Sequence, residues 1–192
     1  MSHSGRSRAR QQPRPVDAAR RRVIARAAIE IVGERGIEGL THRAVAAAAD
    51  VPLGSTTYYF ATLEDILEAA MQEAASASGE RANTWARTIP DCEDLGQALA
   101  QYLESATGPG RARLVVEYEL YLAAIRHPRL RPLSTAWGQV LTEILATHTD
   151  GLTARALTVA YFGLQLESLI ADRSLPADET RPVFRRVLAG AM

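Results

Sequence analysis

Apolar side chains recur along this chain at helical spacing, and nowhere do they alternate as strand residues would. Ile24, Ala27, Ala28 and Ile31 fall at i, i+3, i+4 and i+7. That places them on one face and predicts a first helix over about 16–35, stopped by Gly36. Thr41 can cap a short second helix through its hydroxyl. Asp50 suits a tight turn, and Pro52 fits the opening turn of a third short helix that ends in Tyr58, Tyr59 and Phe60. A fourth helix is expected over about 63–87, capped by Thr62 and favoured by Glu64 and Asp65 at its positive end. Ser76, Ser78 and Gly79 weaken its middle. The loop 90–94 leads into helix 5 (about 94–107), helix 6 (111–126), helix 7 (130–148), helix 8 (152–172) and helix 9 (178–190). Gly108-Pro109-Gly110, Pro128, Asp150-Gly151 and Ser174-Leu175-Pro176 separate them. The expected fold is all-α, with about nine helices.

The stretch 41–60 carries the most chemistry. Its second helix holds Gly54, Ser55, Thr56 and Thr57, small and hydroxylated side chains that allow close approach and still offer hydrogen bonds. Two short helices joined by a tight turn read as a helix-turn-helix, in which the second helix enters the DNA major groove. Val45, Ala49, Val51, Thr56 and Phe60 are assigned to the core beneath it. Tyr58 and Tyr59 are adjacent and cannot share one helix face, so at least one points outward. Tyr59 is expected to reach the DNA backbone.

Charge supports this division. All 22 basic residues are Arg, and the chain is neutral overall. Residues 1–60 hold ten Arg against five acids (+5), and residues 61–192 hold twelve against seventeen (−5). The positive third contains the helix-turn-helix, where phosphate attraction is wanted. Residues 1–16 carry Arg6, Arg8, Arg10 and Arg14 among polar residues, and are expected to be a disordered arm that either follows DNA or is simply solvated. At 192 residues with 47% hydrophobic side chains, the chain can bury a substantial core. No apolar run approaches the ~18 residues of a membrane span. The single Cys92 cannot form an internal disulfide, which fits a cytoplasmic location.

The order of a helix, Glu34-Arg35-Gly36, Thr41 and Arg43, a small-residue helix, then Val51, Gly54, Tyr58, Phe60 and a new helix resembles the TetR (tetracycline-repressor-like) transcription regulators over about residues 20–70. The resemblance implies that Arg43 reaches a guanine and that Leu53, Gly54 and Thr57 face bases. It implies phosphate contacts for Thr41, His42, Ser55, Tyr58 and Tyr59. Two positions depart from the pattern: Leu63 stands where the family commonly has Lys, and Asp50 where it commonly has Gly. The implied organisation is an arm (1–16), a DNA-binding domain (17–62) and a ligand-sensing and dimerisation domain (63–192), with helix 4 as connector. A homodimer joined through helices 8 and 9 would bind a pseudo-palindromic double-stranded operator and answer to an unidentified small-molecule effector.

Helix 8 offers Ala156, Ala160 and Gly163 for close helix approach, and helix 9 adds Phe184 and Leu188; the same residues would also serve as intrachain core. Trp85, Tyr102, Tyr118, Tyr121, Trp137 and Phe162 are the candidate lining of an effector pocket, against the alternative of plain core. Glu117 and Glu119 lie on an otherwise apolar helix 6, turned either inward to a ligand or an Arg, or outward to solvent. His3, His42, His127 and His148 are scattered and show no metal spacing with Cys92. No phosphate-binding Gly loop or nucleophile elbow is present. No catalytic residue, metal site or cofactor is therefore expected. A DNA-binding protein of weak sequence preference that senses nothing is the alternative function.

Overall fold

A computed structural model describes residues 15–89 and 94–190; residues 1–14 of the Arg-rich arm and Cys92 lie outside the described residues. Among the described residues the elements are α1 (Pro15–Arg35), α2 (His42–Ala48), α3 (Leu53–Tyr59), α4 (Leu63–Ala86), α5 (Leu95–Thr107), α6 (Arg111–Ala123), α7 (Arg131–Leu145), α8 (Gly151–Ala171) and α9 (Ala177–Ala189). Short 3₁₀ turns occupy Ile37–Gly39 and Pro128–Leu130.

Local chemistry explains most of the boundaries. Gly36 ends α1 with φ +69°, a left-handed backbone that glycine adopts without a Cβ penalty, and its N–H reaches the Val32 carbonyl at 2.9 Å. The Ala44 N–H donates to Thr41 Oγ1 at 3.0 Å, which caps α2. Asp50 takes φ +50° between α2 and α3, so it makes the turn that glycine makes elsewhere. Thr62 and Asp65 form a reciprocal capping box at the start of α4: the Asp65 N–H donates to Thr62 Oγ1 at 3.1 Å and the Thr62 N–H to Asp65 Oδ2 at 2.9 Å. Asp94 caps α5 by accepting from the Gln97 N–H, and Asp150 caps α8 by accepting from the Leu152 and Thr153 N–H groups.

Two hydrophobic cores result. The first gathers Ile24, Ala28, Val45, Phe60, Ile66 and Met71 from α1 to α4, closed by Leu120 of α6 and Leu130. The second gathers Leu99, Leu103, Leu145, Leu157 and Phe184 from α5, α7, α8 and α9. α4 belongs to the first core and packs on α1, α6 and α7. Those contacts hold it unbroken through Ser76, Ser78 and Gly79, since tertiary packing outweighs weak propensity.

The structure corrects two expectations. α6 stops at Ala123 rather than near 126, and a 3₁₀ turn carries the chain past Pro128, which has no N–H to continue a helix. Phe184 is fully buried within the subunit, in the core that α9 forms against α5, and so is not available to a partner. Leu188 and Ala160 are half-buried against the same core.

Candidate functional site

The helix-turn-helix is stiffened from within. Thr56 is fully buried, and its hydroxyl donates to the Leu53 carbonyl at 2.8 Å while lying 3.3 Å from His42 Nδ1. His42, half-buried, therefore ties α2 to α3 rather than standing free at the cap. Val45 and Phe60 are in the core as expected, and Ala49 and Val51 pack against it. The outer surface carries Thr41, Arg43, Leu53, Gly54, Thr57 and Tyr58, all exposed, with Ser55 half-buried. A Cβ built on Gly54 meets nothing within 4 Å, so the fold itself does not require glycine there.

The tyrosine pair divides in the opposite sense to that expected. Tyr58 is 79% exposed. Tyr59 is half-buried against the core, its hydroxyl donating to Asp17 of α1 at 3.3 Å and its carbonyl accepting from Arg21. The Arg21 guanidinium also lies over the Phe60 ring at 4.3 Å. Tyr58 thus stands in solvent, and Tyr59 anchors α3 to α1.

α4 is held at its first turn and again near its middle. Arg129 sits 3.1 Å from Asp65, 3.1 Å from Glu68 and 3.5 Å from Glu64. The Thr62 hydrogen bond and Arg129 hold the Asp65 carboxyl below its ordinary range. Two turns on, Glu73 pairs with Arg26 at 2.7 Å and with Arg22 at 3.3 Å, both on α1. Leu63, where the family pattern commonly has Lys, is exposed at the start of this helix.

Between α4, α5, α6, α7 and α8 lies a cavity of about 360 Å³. Tyr102, Tyr118, Tyr121, Trp137, Tyr161 and Phe162 form its aromatic walls. Tyr102 and Tyr161 stack at 5.5 Å, and Tyr121 stacks on Phe162 at 6.4 Å and meets Trp137 edge-on at 6.2 Å. The Tyr118 hydroxyl donates to the Phe162 carbonyl at 2.7 Å, with Gln165 Oε1 at 3.3 Å. Burial raises the Tyr118 and Tyr161 hydroxyls above their usual range, so both stay protonated at neutral pH. Trp85 does not line the cavity. It stacks behind Tyr102 at 4.6 Å and gives its indole N–H to the Ala98 carbonyl.

One acid faces this space. Glu117 of α6 is the only carboxylate among the lining residues, its side chain 14% exposed. Its Oε1 accepts a hydrogen bond from Arg81 of α4 and lies 3.5 Å from Arg113. Burial raises its pKa, while Arg81 and Arg113 pull it back down. Glu117 is legible as one of two acids on an apolar helix, whereas Arg81, Arg113 and Gln165 carry no such signal as lining residues. On α6 the signal is that Leu114, Glu117, Tyr118 and Tyr121 recur at helical spacing on one face.

Similarity to known proteins follows the same division. The family model described as the tetracyclin repressor-like C-terminal domain matches residues 90–190, and that of bacterial regulatory proteins, tetR family, matches residues 24–70. The chain belongs to the TetR family. This TetR-family protein is a ligand-responsive, DNA-binding transcriptional regulator. The multidrug binding protein EbrR, crystallised with imidazole, is 43% identical; the match covers 92% of this chain and 96% of that one, with a TM-score of 0.80. EbrR with ethidium is similar at 42% identity, 88% and 98% coverage and a TM-score of 0.75. EbrR has also been solved with malachite green and with proflavin. A TetR-family member from Streptomyces coelicolor A3, SCO1917, is 44% identical, with 88% and 97% coverage and a TM-score of 0.78. No curated protein matches. Among the described residues there is no group of metal-binding side chains, and no helix is long and apolar enough to cross a membrane.

Proposed function

We propose that this regulator is a homodimeric repressor that reads a pseudo-palindromic operator and releases it on binding a planar aromatic cation. One observation carries the effector class: a single buried carboxylate, Glu117, set in a cavity walled by six aromatic rings. Such walls stack on flat rings and attract positive charge to their faces, and the carboxylate adds a counter-charge. The similarity to EbrR, solved with ethidium and proflavin, supports the same reading.

For the DNA side, residues 17–62 would form the reading unit, with Arg43, Leu53, Gly54 and Thr57 toward base edges and Thr41, Ser55 and Tyr58 toward the backbone. Residues 63–192 would sense and pair, with α4 as connector. Leu152, Ala156, Val159, Gly163, Leu166 and Ile170 form an exposed strip on α8, with steps alternating between four and three residues. That spacing is a helix-pairing seam, and Val159 and Ile170 are 63% and 79% exposed along it. A Cβ on Gly163 meets nothing within 4 Å, which leaves room for a second helix. α8 and its two-fold mate would thus make the dimer contact, with α9 beside it.

In vitro selection from random DNA, with wild type and Arg43→Ala in parallel, tests the reading. An enriched pseudo-palindrome that loses preference at one base pair per half-site in the variant is expected, and ethidium should dissociate the selected complex. Sequence-blind, salt-sensitive binding indifferent to ethidium would instead favour a DNA-binding protein that senses nothing.

A further inference from the structure

The cavity already contains positive charge of its own. Arg81 and Arg113 both reach Oε1 of Glu117, two guanidinium groups on one carboxylate. They are not equivalent. Arg113 lies four residues before Glu117 on the same helix, 3.5 Å away and 45% exposed, so its departure is a local change of rotamer. Arg81 comes from α4, makes the hydrogen bond to Glu117, and is less exposed at 32%. Its bond to Glu117 therefore joins two helices, and α4 is the helix whose earlier turns are tied to α1 through Glu73.

Resting on the reading that the effector is an aromatic cation, we infer that Arg81 is the cavity's resident cation. It competes with the effector's positive charge for Glu117, and its expulsion frees α4. The charge count requires a choice. Two arginines and one carboxylate leave the cavity at +1, and a cationic effector would raise this to +2 around a single carboxylate whose side chain is 14% exposed. Arg113, 45% exposed, can turn its charge toward water, whereas Arg81, 32% exposed, shares Glu117 directly with any incoming cation. Arg81 is the group that would lose its hydrogen-bond partner to the newcomer. A neutral ring system of the same shape brings no such conflict: it fills the cavity and leaves Arg81 on Glu117. Binding and response then separate. Shape decides which molecules enter, and charge decides which of them act on DNA. An effector can shift the equilibrium only by its difference in affinity for the two states, and the Arg81–Glu117 bond supplies that difference.

The test uses the full-length protein, operator DNA obtained by selection, ethidium as the cationic probe and acridine at mildly alkaline pH as the neutral one. Affinities and operator release are compared for wild type, Arg81→Met, Arg81→Lys, Arg113→Met and Glu117→Gln. Arg81→Met should bind ethidium about tenfold tighter, about one decade of dissociation constant, with acridine changed by less than about twofold. Ethidium should also weaken its operator binding by a smaller factor than in wild type. Arg81→Lys, which keeps the charge, should stay close to wild type, and Arg113→Met should alter operator release little. Unchanged or weaker ethidium binding in Arg81→Met overturns the inference, as does an equal gain for acridine, which would mean that Arg81 only shapes the cavity. If wild type binds ethidium equally well with Glu117→Gln, the cationic-effector reading itself fails, and that result is separate from any outcome at Arg81.

Discussion

Residues 41–58 direct their working side chains outward from a core they do not belong to, whereas the effector cavity is lined by side chains that are themselves part of the interior. Arg43, Leu53, Thr57 and Tyr58 stand in solvent above Val45, Thr56 and Phe60. Tyr102, Tyr161 and Phe162 belong to or pack against the second hydrophobic core, and Tyr121 stacks on Phe162. In the first region recognition and folding are separate, so a substitution can alter one and spare the other. In the second they are the same atoms, and any change of ligand preference is also a change of packing.

The sharpest break of this contrast is Phe60→Ala, which removes a buried ring beneath the reading helix. A loss of about 3–5 kcal/mol in stability is expected by chemical denaturation, with DNA binding lost alongside it. Arg43→Ala should do the reverse. Unfolding should be unchanged, while discrimination at one base pair per half-site falls by about 1–3 kcal/mol in a competition assay. Glu117→Gln probes the merged region and should weaken ethidium by about tenfold, or about 1.4 kcal/mol, in a fluorescence titration. The pH dependence has a definite sign here. Burial raises the Glu117 pKa, so acidification neutralises it sooner than an ordinary carboxylate, and the affinity for ethidium should begin to fall above the usual carboxylate range. Glu117→Gln should abolish that fall. Thr41→Ala removes the α2 cap and should cost about 1 kcal/mol of stability. Smallest of all, Gly54→Ala should leave the fold intact or firmer by about 0.5–1 kcal/mol, because helical Gly is disfavoured and the site is open, yet should shift the selected DNA sequence.

The same contrast governs how much could be read from residues alone. Helix boundaries were legible because their causes are local: Gly36, Thr41, Asp50, Thr62 and Asp150 each act on a neighbour within four residues. The outward residues of the reading motif were legible for the same reason, apart from the tyrosine pair. Tyr59 turns inward because Asp17 and Arg21, about forty positions away, hold it, and nothing in its own helix signals that. The cavity depends on five helices meeting, so Tyr102, Tyr118, Tyr121, Trp137 and Phe162 were legible as candidates while the arginines beside them were not. Trp85 stands in the second layer behind Tyr102, and Arg81 reaches the cavity from α4, on which only Trp85 was expected to line it. Phe184 was misplaced because an apolar residue on a terminal helix looks the same whether it packs on α5 or on a second subunit.

The fastening of α4 has a mechanical meaning. Arg129 pins its first turn at Asp65, Glu73 lies eight residues further along, and Arg81 lies sixteen. At 1.5 Å rise per residue these are arms of roughly 12 and 24 Å from the pin. A stiff rod turning about that pin would deliver at Glu73, and so to α1 beneath the reading helix, about half of whatever displacement occurs at Arg81. The helix would then act as a reduction lever: a coarse movement beside the proposed effector cavity would become a finer one at the helix-turn-helix, with the gearing set by where Arg129 holds the rod.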